Sequence, residues 1–228
     1  MPNWTSNRII CKKELGEKLL TKTDDGYLLD FNKLIPMPKE LDIESGSSGE
    51  KGLIFLYLTS PDLCKSVDIR KAYKGLNPFN KEIHNNPFFK DIDSNLSKYY
   101  NDKSFQDSIE LGKKYLDNYI KYGYCNWYNW RVDNWGTKWN VDDEVSVIDY
   151  RDNEYEILFD TAWSAPFGII KKYFDMCENG DFYWEYENEE EGFLHILKKK
   201  NNKLVEAVER YVEEYSLNKD DDYEIWNN

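Results

Sequence analysis

The stretch from 145 to 186, VSVIDYRDNEYEILFDTAWSAPFGIIKKYFDMCENGDFYWEY, decides the fold. Val145 to Tyr150 and Glu154 to Thr161 are rich in β-branched and aromatic residues, and the polar Arg151-Asp152-Asn153 between them suits a hairpin turn. Tyr155, Ile157 and Phe159 alternate and so share one face of the second strand. Ser164 before Ala165-Pro166 reads as a helix start, from which Phe167, Ile170, Phe174 and Cys177 continue an apolar stripe to an Asn179-Gly180 stop. Phe182, Trp184 and Tyr186 then alternate as a third strand. Strand, helix and strand in this order make a β-α-β unit.

Working outward, the N-terminal end offers a second such unit: a strand at Arg8 to Cys11, a helix with Leu15, Leu19 and Leu20 on its apolar face, and a strand from Tyr27 to Phe31. Two units sharing a sheet, with helices packed on one side, define a ferredoxin-like antiparallel arrangement. Leu34-Ile35-Pro36-Met37-Pro38 should leave the sheet as an extended loop, because neither proline can donate to a ladder, and Ser45-Gly46-Ser47-Ser48-Gly49 prolongs it. Leu53 to Leu58 is a short apolar run. Residues at about 60–123 then read as a mainly helical insertion. Its clearest element is a helix from Ser104 to Tyr122, with Ser104-x-x-Asp107 as capping signal, Phe105, Ile109, Leu116 and Ile120 near one face, and Gly123 placed to end it. Downstream, a strand is expected from Phe193 to Leu197. An added amphipathic helix is expected at about 202–217, with Leu204, Val208, Tyr211, Val212 and Tyr215 opposite Glu206, Glu209, Arg210, Glu213 and Glu214. The expectation is one α+β domain over 1–228.

The length of 228 residues suits one sizeable core, and 40% hydrophobic with 16% aromatic residues excludes a disordered chain. Lys and Arg number 30 against 43 Asp and Glu, a net charge of −13 that opposes direct nucleic-acid binding and favours a protein partner with a basic surface. No apolar run approaches the roughly 20 residues that span a bilayer. The opening Met1-Pro2-Asn3-Trp4 lacks the basic and apolar regions of a secretory signal, so a cytoplasmic protein without a membrane partner is expected. Cys11, Cys64, Cys125 and Cys177 form no C-x-x-C pair and read as buried free thiols rather than zinc ligands or a disulfide framework.

Four of the eight tryptophans fall within 126–140, NWYNWRVDNWGTKWN. Indoles interleaved with Asn, Asp, Arg and Lys can stack on a sugar, a base or a partner's cation, and they are common interface anchors. The candidate binding residues are therefore Trp127, Trp130, Asp133, Trp135, Lys138 and Trp139; the competing expectation is that these indoles fill the core. Gly136-Thr137-Lys138 lacks the earlier glycine of a phosphate loop, and Trp139 stands where its metal-binding hydroxyl would be. Glu185, Glu187, Glu189, Glu190 and Glu191 raise a glycosidase mechanism, which requires two carboxyls about 5 to 9.5 Å apart across a cleft; the run reads instead as a solvated loop. His84 and His195 sit in no catalytic motif, and His195 is expected to be structural. Ser47-Ser48 is no nucleophile elbow, since no helix is expected after it. No catalytic residue, metal site or cofactor is assigned.

Trp127-Tyr128-x-Trp130 followed by Asn134-Trp135-Gly136-Thr137-Lys138-Trp139-Asn140 resembles the signature of the YubB-type ferredoxin-like proteins carried by phages and plasmids. Pro2-Asn3-Trp4-x-x-Asn7 resembles the opening of that family, Phe31 through Ile35-Pro36-Met37-Pro38 its loop, and Phe159-x-Thr161-Ala162-Trp163-Ser164-x-Pro166 its second helix entry, in the same order. The resemblance reaches to about Phe193 and omits the insertion and the final helix. Ala165 stands where a second proline is expected, and Glu189-Glu190-Glu191-Gly192 only approximates the acidic ending. The resemblance implies a ferredoxin-like fold and a mobile-element origin, and it supplies no activity. The expected function is that of a non-enzymatic accessory protein that binds a protein partner, inhibition of a host defence being one specific form. The alternative is a carbohydrate- or nucleotide-binding module, or a hydrolase, built on Trp127, Trp130, Trp135 and Trp139 with Asp133 or Lys138 as polar contacts.

Overall fold

The computed structural model describes residues 3–60, 69–76, 82–141, 145–178, 181–189 and 192–210. The chain divides into two compact units, one formed by Met1–Pro36 with Arg131–Asn228 and one by Met37–Trp130.

The first unit is built on a six-stranded antiparallel sheet in the order β4-β5-β1-β6-β7-β8. Its strands are β1 (Trp4–Lys12), β4 (Ser146–Arg151), β5 (Glu154–Ala162), β6 (Tyr183–Asn188), β7 (Phe193–Lys200) and β8 (Lys203–Arg210). β1 lies between β5 and β6, antiparallel to both, with Ile9 opposite Ile157 on one side and Trp184 on the other. Alternation along β1 buries Thr5, Asn7, Ile9 and Cys11, and the same face carries Ile157, Phe159, Trp184, Tyr186 and Leu197. Helix α8 (Phe167–Met176) covers it, with Tyr173 edge-on to Trp184 at 6.2 Å. Phe31 adds to the layer, edge-on to both Phe159 and Trp135. On the opposite face Arg8 is clamped between Glu156 (2.6 Å) and Glu185 (2.9 Å), while Ile148, Tyr150 and Leu158 are exposed.

The second unit is helical: α2 (Ser47–Thr59), α3 (Ile69–Leu76), α4 (Phe89–Ser94), α5 (Leu96–Asn101), α6 (Lys103–Tyr122) and the start of α7 (Trp127–Trp135). Its core gathers Leu53, Ile54, Tyr73, Ile92, Phe105, Ile109 and Leu116. α2 and α6 cross in backbone contact: a Cβ on Gly52 would lie 1.9 Å from the Ser108 carbonyl oxygen and 2.9 Å from Gly112 Cα. Asp102, rather than Ser104, caps α6 by accepting from the Ser104 amide, and Gly123 ends it in the left-handed conformation at φ 76°.

Several expectations are corrected. The helix expected through Leu15, Leu19 and Leu20 is a single turn, α1 (Lys13–Gly16), after which the β-branched Thr21 and Thr23 favour extended chain. Leu20–Lys22 (β2) pairs with Tyr27–Leu29 (β3) in a separate two-stranded hairpin, so Tyr27 to Phe31 is not in the main sheet. The three leucines are nevertheless buried. Ser45 to Gly49 is no loop extension, because α2 begins at Ser47 and Gly49 lies beneath the Tyr115 ring. The stripe of α8 runs through Ile169, Ile170 and Tyr173, leaving Phe167 half exposed, and Ile120 of α6 is likewise exposed. The expected final helix is, over Lys203–Arg210, the edge strand β8; residues 211–217 lie outside the described residues. Asn201 and Asn202, both at positive φ (53° and 59°), form the tight turn that starts this strand. The helical unit also begins earlier than the expected insertion, at Met37, and ends later, at Trp130.

Candidate functional site: an indole cluster at one end of the sheet

β1 begins, and β5 and β6 end, at the same end of the sheet, where Trp4 lies opposite Ala162 and Thr5 opposite Asn188. Just inside this end is a buried polar network. Asn7 donates to the Thr5 carbonyl and to Thr161 Oγ1, both at 2.9 Å, and accepts from the Trp184 indole at 3.2 Å. These bonds satisfy groups that would be costly to bury alone.

Two loops meet above this network. Thr137 Oγ1 donates to the Ala162 carbonyl (2.8 Å), Ser164 Oγ to the Gly136 carbonyl (2.5 Å), and Thr161 Oγ1 to the Ser164 carbonyl (2.9 Å). Gly136 is required: its φ is 85°, and a Cβ would lie 2.5 Å from the Phe167 amide nitrogen. Asn140 accepts from the Phe31 amide and donates to Asp30, at 2.9 and 2.8 Å. Burial alone would raise the Asp30 carboxyl, but hydrogen bonds from the Asn32 amide and the Asn140 and Asn32 side chains outweigh it and hold the carboxyl below its usual range. Through these contacts, blocks more than 100 residues apart in sequence are locked together.

The six candidate residues have different fates. Trp135 is fully buried, its indole donating to the Ile35 carbonyl at 2.9 Å. Trp130 is buried as well, in the helical unit, and Trp127 of that unit is partly buried with its ring edge-on to Tyr128. Asp133 is exposed on α7. Lys138 and Trp139 alone of the six share a surface cluster, and the partners there are Trp4 and Trp163, which the sequence reading did not select. The Lys138 ammonium lies 4.6 Å from the Trp139 ring and 4.5 Å from the Trp163 ring. Trp4 stands 6.2 Å from Trp139. Trp4 and Trp163 are 42% and 47% exposed, unusual for indoles in an ordered site. Trp163 also has φ 74°, a genuine outlier for a bulky residue. The signal for both lies in the blocks that resemble the YubB-type family, outside the crowded 126–140 stretch.

Two other features bear on chemistry. Tyr186 and His195 stack at 4.4 Å, and both reach Glu206: the Tyr186 hydroxyl at 3.1 Å and His195 Nδ1 at 2.8 Å. The trio links β6, β7 and β8. A shallow groove of about 250 Å³ in the helical unit is lined by Phe55, Thr59, Leu96, Ser97, Tyr100 and Asn101, and none of the indole-cluster residues lines it. Cys11, Cys125 and Cys177 are free and buried, while Cys64 lies outside the described residues. Among the described residues no helix is long and apolar enough to cross a membrane.

Fold and site together define an α+β protein with an antiparallel sheet and a surface cluster in which the indoles of Trp139 and Trp163 flank the Lys138 ammonium and that of Trp4 lies beside Trp139. No protein-family model, curated protein or solved structure matches the chain.

Proposed function

We propose that this chain is an accessory protein of a phage, plasmid or similar mobile element, ferredoxin-like and of the YubB type, that acts by binding a protein partner with a basic surface. The observation that carries the partner class is the charge, 30 cationic against 43 acidic residues. Such a chain repels phosphate backbones and attracts cationic proteins. Its open sheet face is consistent with this. Arg8 is occupied by Glu156 and Glu185, while no ion pair among the described residues reaches Asp160, Glu187 or Glu209 on the same face.

The ferredoxin-like reading is supported by the order β4-β5-β1-β6. The pairings make β5 and β6 parallel to each other across β1, and β1 and β4 parallel across β5, which are the two split crossovers of that arrangement. The convergence of the Trp4–Asn7, Phe31–Ile35, Trp135–Asn140 and Phe159–Pro166 blocks at one end of the sheet supports the family reading, and the mobile-element origin rests on that resemblance. Cytoplasmic residence and, in a specific form, obstruction of a host protein's nucleic-acid channel complete the proposal.

The test is affinity capture from a bacterial host lysate at low and high salt, followed by titration against the captured protein after purification. A saturable complex that weakens steeply with salt and is displaced by DNA is expected; a complex indifferent to salt, or turnover of a small substrate, contradicts it. A second reading, a carbohydrate- or nucleotide-binding module, is favoured by the exposure of Trp4 and Trp163 and opposed by the burial of Trp130 and Trp135.

A further inference from the structure

We infer that Trp4, Trp139 and Trp163 form a binding site for a cationic side chain of a protein partner, an arginine guanidinium above all, and that Lys138 occupies part of this site as an internal competitor. The inference deepens the proposed function and rests on its reading of a basic partner.

Trp163 provides the first argument. A left-handed backbone is disfavoured for any residue with a Cβ, and here it is imposed on the bulkiest side chain at φ 74°. The conformation is held from several sides. The Trp163 amide donates to the Asn3 carbonyl at 2.8 Å, and the Thr161, Ser164 and Thr137 hydroxyls tie the flanking loops together. What this strained turn delivers is an indole nearly half exposed to solvent. Burial of the ring is therefore not what the turn serves; a rigid aromatic face presented outward is.

The ligand class follows from what the rings already hold. Two indole faces lie 4.5 and 4.6 Å from the Lys138 ammonium, within the range at which the ring quadrupole attracts a cation. The Trp4 amide donates to the carboxylate of exposed Glu189 at 3.1 Å, which sets an anion against the Trp4 backbone. Trp4 adds a further exposed indole 6.2 Å from Trp139. A planar guanidinium stacks on such faces and pairs with a carboxylate at the same time. A nucleotide would bring its phosphates into a protein of net charge −13. A sugar gains nothing from an ammonium lying over the rings.

The experiment uses the whole chain and a nona-arginine peptide, with cellohexaose and ATP as comparison probes, titrated by calorimetry at two salt concentrations. Wild type is expected to bind the peptide and neither comparison probe. Trp163→Ala should weaken peptide binding at least tenfold with the salt dependence unchanged, and Trp163→Phe should restore part of it, which separates lost stacking from lost folding. Lys138→Met should tighten binding about fivefold more than Lys200→Met, which makes the same change of net charge at an exposed position remote in sequence from the cluster. If the peptide binds but the tryptophan variants bind equally well and the two lysine variants are indistinguishable, the indole site is refuted while the basic-partner reading stands. If the peptide fails to bind at low salt, both fall. Cellohexaose or ATP binding that Trp163→Ala abolishes overturns the assignment of ligand class.

Discussion

Gly52→Ala puts the α2–α6 crossing to a quantitative test. Taken alone, alanine in a helix interior is favoured over glycine by about 0.8–1.0 kcal/mol, so helix propensity predicts a more stable protein. The crossing predicts the reverse. The new Cβ would lie 1.9 Å from the Ser108 carbonyl oxygen and 2.9 Å from Gly112 Cα, both backbone atoms that cannot swing aside. Restoring an ordinary contact requires the helices to part by more than ~1 Å, and a gap of 0.5–1 Å already forfeits roughly a quarter to a half of each contact's dispersion energy. Leu53, Leu56, Phe105, Ile109 and Leu116 are buried in the core these helices share, and each is worth about 1.5–3 kcal/mol when fully buried. Losing about a third of that packing costs roughly 3 kcal/mol, which outweighs the propensity gain and leaves a net loss of about 2 kcal/mol. Gly75→Ala is the control, because its Cβ would meet only Tyr119 Cε2 at an ordinary 3.7 Å; there propensity should prevail, with a gain of up to about 1 kcal/mol. Urea unfolding followed by far-ultraviolet circular dichroism measures both. Equal effects of the two substitutions, or a stabilised Gly52→Ala, would refute the close crossing.

Trp135→Phe should cost about 2–4 kcal/mol in the same assay, since it removes the bond to the Ile35 carbonyl at 2.9 Å, strands that acceptor and leaves a void; Trp139→Phe, at a half-open position, should cost less than about 1 kcal/mol. Glu40, hydrogen-bonded to the Lys121 ammonium at 2.9 Å, has its carboxyl held down at about 2. A depressed carboxyl stabilises above its unfolded pKa, so this contribution is in place above the ordinary carboxylate range and disappears as pH falls toward 2; a carboxyl titration followed by NMR with its midpoint near 4.5 would contradict the pairing. Burial pushes the Cys125 thiol up from 9.0 to about 12, so near pH 8 its thiolate should be roughly a thousandfold scarcer than that of an exposed cysteine. Mass mapping after brief iodoacetamide treatment should find Cys125 unlabelled in the native protein and labelled in urea.

What the sequence made legible was the pattern that depends on nearest neighbours. The 145–186 block is legible as strand, turn, strand, helix and strand, because alternation and a polar turn are local signals. Gly123 likewise marks the end of α6. What stayed hidden depends on distant partners. Ser45 to Gly49 looked like a flexible loop because glycine and serine favour loops, yet Gly49 is small because the Tyr115 ring lies against it. Leu204 and Val208 fit a helical stripe as well as a strand face, and only the paired asparagines at 201 and 202, an uncommon choice for a two-residue turn, pointed to the strand. The candidate site was half legible for the same reason. Lys138 and Trp139 were found by crowding along the chain, whereas Trp4 and Trp163 reach the same cluster from over 100 and over 20 residues away, a proximity that only sheet register creates.

The same register narrows how this surface can engage another molecule. An exposed sheet edge can bind by adding a strand, but among the described residues both outermost strands carry features that oppose it. β4 carries a bulge between Asp149 and Arg151, and β8 carries Lys203, Glu206 and Glu209 along its length. Recognition through backbone pairing is thereby disfavoured, and side chains must supply it. Long acidic side chains attract a cationic partner from a distance but lose freedom when they dock, which limits what each contributes. A tryptophan fixed in a hydrogen-bonded turn has lost that freedom before binding begins. In the proposed mechanism the carboxylates steer and the indoles hold, so neutralising Glu187 or Asp160 should lower the association rate, whereas removing Trp163 should raise the dissociation rate. Rapid-mixing kinetics with an arginine-rich peptide separates these two effects, and an association rate that follows the tryptophan instead would reverse the assignment.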